Sequence, residues 1–315
     1  MQNMPQSNSS KKIKHLVYVP FSGLGLYNGF RGNGWLKNRI KIFKQFVIPS
    51  LQKQTVKDFT LWCSWRPEEK RNPIVKELMR YLETTGLDCV HTFHGVCFWD
   101  DKYPDDVARD RLLMSLHGSL GELFETVGEA EEVLMTIQPS DDIYHPQAFE
   151  WFREGLADAQ LSRFNLGYVI NYQTKEVGEW NPTTHPPFFT MKFPRAVFLD
   201  PLKHFDYSGP YKSHEYAGEN LRCVEIEKRG YMVGTHMDNI STVFDHPYKG
   251  GLVASDIQVD FGIHNIEQLK IECSWKRKAF NSLPYSVKRK LRYLAGEKKT
   301  IFRPLIKFFY EWIRG

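Results

Sequence analysis

Residues 132–145 read EVLMTIQPSDDIYH, and the fold turns on this stretch. Val133, Leu134, Met135, Thr136 and Ile137 form a short apolar run bounded by turn residues, which predicts a buried strand. Pro139-Ser140 ends the run, and Asp141 and Asp142 follow at once. Carboxylates at the C-terminal end of a strand in an open α/β sheet lie where such sheets bind ligands. Paired there, they suit a hard divalent cation, which is often shared with substrate phosphates. The same pair also reads as a turn and N-cap ahead of a helix beginning near His145-Pro146. The rest of the chain has to separate the two.

Upstream, strands alternate with helices. Residues 15–20 predict a first strand, and 21–25 (FSGLG) a glycine loop lacking the full dinucleotide fingerprint. Leu36, Ile40, Phe43, Val47 and Leu51 recur at helical spacing, with Lys37, Arg39, Lys41 and Lys44 expected on the wet face and a kink at Pro49. Residues 59–65 predict a second strand, 72–84 a helix burying Ile74, Val75, Leu78 and Leu82, and 87–93 a third strand. Residues 103–127 predict a long helix burying Val107, Leu112, Leu116, Leu120, Leu123 and Phe124. His91, His94 and Cys97 lie three apart; that spacing alternates strand faces and matches no metal geometry, so it reads as structural. The alternation predicts a mostly parallel α/β sheet with helices on both faces. After a helix over 146–159 the rhythm changes. Residues 164–172 and 176–180 predict a hairpin and 188–198 a further strand, an α+β half continuing the same domain.

Composition narrows the function classes. The chain has 315 residues, 42% hydrophobic and 25% charged, which supports a sizeable core and is not a disordered composition. Its five cysteines include no CxxC pair, so neither a disulfide framework nor a zinc ribbon is expected, and a cytoplasmic home fits. No run approaches the roughly 18–20 apolar residues of a membrane span. The polar start, residues 1–14, reads as disordered rather than as a signal peptide. Residues 276–315 hold twelve Lys and Arg against two Glu, a local +10 that leaves −5 of the net +5 to residues 1–275. A basic tail on an acidic body argues against nucleic-acid binding and for contact with an anionic membrane surface. Packing of Leu305, Ile306, Phe308, Phe309 and Trp312 onto the body is the alternative. The chain thus divides into residues 1–14, an α/β unit at 15–265 and a basic helical tail at 266–315.

Trp35, Arg39, Phe43, the Pro49-Ser50-Leu51 step, Gln54-Thr55 and Phe59 form a pattern, W-x3-R-x3-F followed by PSL, QT and F. It resembles the signature of the rhamnosyl transferase family, relatives of the inverting glycosyltransferases with the GT-A fold. In that family a strand resembling RLDSDD ends in an acidic metal site, the place taken here by residues 137–142. His236 and Asn239 look like its later H-x2-N segment. The resemblance spans roughly residues 15–245 and is strongest over 35–62. It implies transfer of a sugar from a nucleotide-diphosphate donor to a glycan or lipid-linked glycan acceptor, assisted by Mn²⁺ or Mg²⁺, with inversion. Asp141, Asp142 and His236 would hold the metal. Glu215, or His214 beside it, would deprotonate the acceptor, although Ser213 and Glu215 also read as a plain helix start. Phe21, Ser22 and Arg66 would line the base pocket, and Arg111 and Asp141 would approach the donor diphosphate. The chain departs from the family pattern at Ile137 and Pro139, which replace its Arg and first Asp. That departure leaves a second class open, a domain of this fold that binds a glycan or partner without catalysis.

Overall fold

The computed structural model describes residues 12–22, 24–25, 32–97, 105–208, 217, 219–236, 239, 243–254, 256–263 and the isolated positions 283, 286, 287 and 290. The first half runs β1 (Ile13–Val19), β2 (Leu24–Gly25), α1 (Asn33–Ile42), α2 (Ile48–Gln52), β3 (Thr60–Ser64), α3 (Pro73–Glu83), β4 (Asp88–Thr92), β5 (Val96–Cys97), α4 (Asp105–Val127) and β6 (Glu132–Ile137). The second adds β7 (Ile143–Tyr144), α5 (Ala148–Gly155), β8 (Leu161–Phe164), β9 (Gly167–Asn171), β10 (Val177–Trp180), β11 (Phe189–Pro194), α6 (Arg195–Phe198), α7 (Pro201–Ser208), β12 (Cys223–Ile226), β13 (Tyr231–Thr235), β14 (Lys249–Val253) and α8 (Ile257–Asp260). Apart from those four isolated positions, the expected tail lies outside the described residues, as does the stretch containing His214 and Glu215.

The fold is mixed α/β with a mostly parallel central sheet, in the strand order β12-β8-β11-β6-β1-β3-β4. β6, β1, β3 and β4 run parallel, and β11 is inserted antiparallel between β6 and β8. Side chains alternate faces along a strand, so each strand feeds two cores. Val17, Val19, Leu61 and Cys63 pack with Leu36, Leu51, Leu78 and Phe152 on one face. Leu16, Tyr18 and Trp62 pack with Leu120, Leu123 and Val127 of α4 on the other. Helices therefore cover both faces, as the alternation predicts. The strand order reverses at β1, with β3 and β4 on one side and β6 on the other. The carboxyl ends of β1 and β6 flank the topological switch point, where ligands of open α/β sheets bind.

A second sheet, β14-β10-β9-β13-β7, begins directly after Asp142. β7 pairs antiparallel with β13, Ile143 opposite Met232 and Tyr144 opposite Tyr231. The acid pair thus sits at the seam between the two sheets.

Several local expectations are corrected. Arg39 is buried, not wet, because Trp35, Arg39 and Phe43 fall at i, i+4 and i+8 on the inward face of one helix. Pro49 produces a π-helical turn at Phe43–Val47 in place of a simple kink: the amide of Ile48 bonds the carbonyl of Phe43 just before the residue that lacks an N–H. Phe124 and Val107 are exposed. The seam of α4 runs through Leu120, Leu123 and Val127, and the Arg195 guanidinium lies 5.3 Å from the centre of the exposed Phe124 ring. The hairpin expected over 164–172 and 176–180 forms from β9 and β10, paired antiparallel, but its first strand starts at Gly167, and Phe164 belongs to β8 in the central sheet. Gly167 lets the chain pass beneath the Tyr231 ring, where a Cβ would come within 2.5 Å. The strand expected over 188–198 stops at Pro194, which lacks the N–H to continue a ladder, and α6 follows.

The histidines read as structural are so. Trp65 Nε1 donates to His91 Nδ1 at 3.2 Å, and His94 Nε2 lies 3.1 Å from Glu122. Deeper in the sheet, Arg153 donates to His15 Nδ1 at 3.3 Å. His15 Nε2 therefore carries the proton and donates to Thr136 Oγ1 at 2.7 Å, which meets Thr190 Oγ1 at 2.6 Å. Burial first, and the Arg153 charge second, push the imidazole pKa down to about 3. A buried neutral histidine adds stability that is complete above its unfolded value of 6.5 and is lost as pH falls towards its folded value. His15→Gln removes that dependence. Between pH 7 and pH 5, denaturant unfolding should show the wild type losing about 2 kcal/mol relative to His15→Gln. Parallel pH profiles would contradict this.

Candidate functional site

The loop after β6 is held rigidly by its own residues. Gln138 donates from its amide N–H to the Tyr18 carbonyl of β1 at 2.8 Å, and its side-chain Nε2 donates to the carbonyls of Pro139 and Asp142, each at 2.8 Å. Tyr144 Oη donates to the Ile137 carbonyl at 2.7 Å. The helix that follows has Gln147 at its N-cap position, without a capping side-chain bond, so the N-cap reading of the aspartates does not hold.

Both carboxylates are instead turned into a polar cluster. Arg39 of α1 forms an ion pair with Asp141 Oδ2 through Nη1, its guanidinium lying 5.2 Å from the centre of the Trp35 ring. The same oxygen accepts from Asn239 Nδ2 at 3.2 Å and lies 3.1 Å from His236 Nε2. Because Asp141 is ionised, that imidazole nitrogen carries a proton and acts as donor. Asn239 also donates to the Gly234 carbonyl at 2.8 Å and accepts from the His236 amide. Asp142 Oδ1 accepts from the Gly234 amide of β13 at 2.8 Å. Tyr172, stacked on Phe46 at 4.3 Å, donates from Oη to the Asp141 carbonyl at 2.9 Å.

Electrostatics separate the two acids. Burial opposes ionisation of Asp141, but Arg39 and His236 outweigh it and hold its carboxyl below the usual range. Asp142 is pushed well above that range, first by burial and then by the charge on Asp141, with the Gly234 amide and Arg39 only partly compensating. Adjacent carboxylates in one low-dielectric site cannot both ionise freely.

A divalent ion fits this donor set. Each carboxylate commits one oxygen to the fold, Oδ2 of Asp141 and Oδ1 of Asp142, and among the described residues nothing bonds its second oxygen. Among the described residues no group of three or more His, Cys, Asp or Glu forms a ready-made metal cluster. Two carboxylates with the remaining positions left to water and substrate phosphate are the arrangement Mg²⁺ favours.

The other predicted residues fall in two places. Phe21, Ser22 and Arg66 do meet, at the carboxyl ends of β1 and β3. Ser22 Oγ donates to Glu69 and accepts from the Arg66 amide at 3.2 Å. Phe21 is buried, stacked on Trp65 at 4.4 Å and edge-on to Phe43 at 4.7 Å, so its ring is part of the core and not an open platform for a base. Arg111 is half-buried near the start of α4, whose seam packs on the sheet face opposite to that of α1. Arg39, Tyr172, Gly234 and Gln138 went unrecognised as parts of the site in the sequence. Arg39 was legible as a charge on an apolar stripe.

No family model matches the chain, and no curated protein does. Among solved structures it is similar to TarS of S. aureus, at 14% identity over 96% of this chain and 55% of that one, with a TM-score of 0.39. This chain therefore spans about half the length of that protein. It is similar to a protein described as a nucleotide-diphospho-sugar transferase from Desulfovibrio desulfuricans G20, at 9% identity over 70% and 80% of the two chains, TM-score 0.29. A third likeness is to 4-diphosphocytidyl-2C-methyl-D-erythritol synthase, at 12% identity over 50% and 59%, TM-score 0.24. At TM-scores of 0.39 or less, none of these carries a functional assignment to this chain.

Proposed function

We propose that the chain is a glycosyltransferase that takes a sugar from a nucleotide-diphosphate donor, with Asp141 and Asp142 holding the divalent ion that accompanies the diphosphate. One observation carries the reading: two adjacent carboxylates at the switch point of an α/β sheet, each held by the fold through one oxygen. When bound, Mn²⁺ or Mg²⁺ supplies Lewis-acid stabilisation of charge on the leaving diphosphate. The chain's own groups do the rest. Arg39, His236 and Asn239 hold Asp141, the Gly234 amide holds Asp142, and Gln138 pins the loop between strand and acids. Glu215, with His214 as its substitute, removes the proton of the acceptor hydroxyl. Ser22, Arg66 and Glu69 meet the nucleotide end. The catalytic unit spans residues 15–265. The sugar named by the family resemblance is rhamnose, the acceptor a glycan or lipid-linked glycan, and the basic residues of 276–315 bring the enzyme to an anionic membrane surface, at the cytoplasmic face.

Thermal unfolding with a panel of nucleotide sugars tests the reading. Ligand at about 100 times its Kd adds about 2.7 kcal/mol. A matched donor with Mn²⁺ should raise the midpoint by several degrees, and chelation of the metal should abolish the rise. No shift across the panel would favour a domain that binds a glycan or partner without catalysis, the reading that Pro139 suggests.

A further inference from the structure

We infer that Arg39 is the positioning residue of the acid pair: it fixes which oxygen Asp141 turns towards a bound cation. The inference rests on the cation reading above. Three described donors meet at Asp141 Oδ2, and they are not equivalent. His236 and Asn239 arrive from the end of β13, which is already tied to the acid loop through Gly234 and through β7. Arg39 arrives from α1, a separate layer, and is itself buried against Trp35. The N–H groups of a planar guanidinium point in fixed directions, so the Nη1 contact restricts the carboxylate in direction as well as in charge, which an ammonium does less well. The residue is therefore placed to decide that Oδ2 faces the protein and Oδ1 the ligand.

A competing role has the opposite sign. A fixed positive charge touching a ligand carboxylate repels a second cation. If Arg39 acted through charge alone, its removal would tighten cation binding. If it orients the carboxylate, its removal loosens binding, as changes to groups supporting metal ligands do by about 10–100-fold.

The experiment titrates Mn²⁺ alone into the full chain and follows free Mn²⁺ by electron paramagnetic resonance, for wild type, Arg39→Met and Arg39→Lys. Arg39→Met should bind at least about tenfold more weakly. Arg39→Lys, which keeps the charge and loses the planar guanidinium, should fall between the two, with a thermal midpoint close to wild type. Should Arg39→Met fail to fold, Arg39→Lys decides. Binding by Arg39→Lys equal to wild type, or binding by folded Arg39→Met as tight as or tighter than wild type, overturns the inference and leaves the cation reading standing. Wild-type protein that takes no Mn²⁺ overturns both.

Discussion

Gly234→Ala is expected to destabilise the fold by on the order of 3 kcal/mol, measured by denaturant unfolding, and to lower donor turnover in whatever protein still folds. The reason is space. An added Cβ at this position would collide with the backbone carbonyl of Asp141 and the edge of the Tyr172 ring, and would lie 2.6 Å from the Tyr172 hydroxyl. A backbone carbonyl cannot swing aside as a flexible side chain can. Relief requires β13 to move away from the acid loop, which breaks the Gly234 amide bond to Asp142 and the Tyr172 bond to the Asp141 carbonyl. A buried carboxyl deprived of its donor adds its own penalty. Destabilisation below about 0.5 kcal/mol would show that β13 and the acid loop are not locked together.

The central strands were readable because their signals are local. Val133 to Ile137 is an apolar run closed by Pro139, and β1 and β3 present the same kind of run, so alternation with amphipathic helices was enough to predict a mostly parallel sheet. Of the second sheet only the β9–β10 hairpin is legible in the sequence. Member β7 of that sheet is two residues long, and β13 contributes through pairing across about ninety residues, which no local pattern encodes. The antiparallel insertion of β11 between β6 and β8 is likewise a long-range choice.

At the site, the carboxylates stood out because Asp-Asp after a strand is a strong local pattern. The resemblance expects His236 on the metal, whereas its Nε2 donates to Asp141. Arg39 differs: a helical stripe of hydrophobic residues puts the charge lying between Trp35 and Phe43 in solvent, and the structure buries it. A buried arginine requires a buried acid, and that partner lies 102 positions along the chain. Gly234 gives no local sign at all, because its requirement comes from Asp141 and Tyr172 and not from its own backbone conformation.

Asp142→Asn carries the other large effect. The amide side chain keeps an acceptor for the Gly234 N–H and removes a carboxylate whose charge burial and Asp141 disfavour. The substitution should therefore leave the thermal midpoint equal to wild type or higher. It also removes one of the two oxygens left for a cation, and with it the charge that would hold that cation beside the donor diphosphate. Loss of that stabilisation corresponds to at least about 100-fold in turnover, about 3 kcal/mol of barrier. The decisive measurement is hydrolysis of the matched nucleotide sugar with Mn²⁺ and with chelator, for wild type and Asp142→Asn side by side. The account predicts Mn²⁺-dependent turnover in the wild type and its near-complete loss in a variant at least as stable. Turnover that ignores both the chelator and the substitution would contradict it.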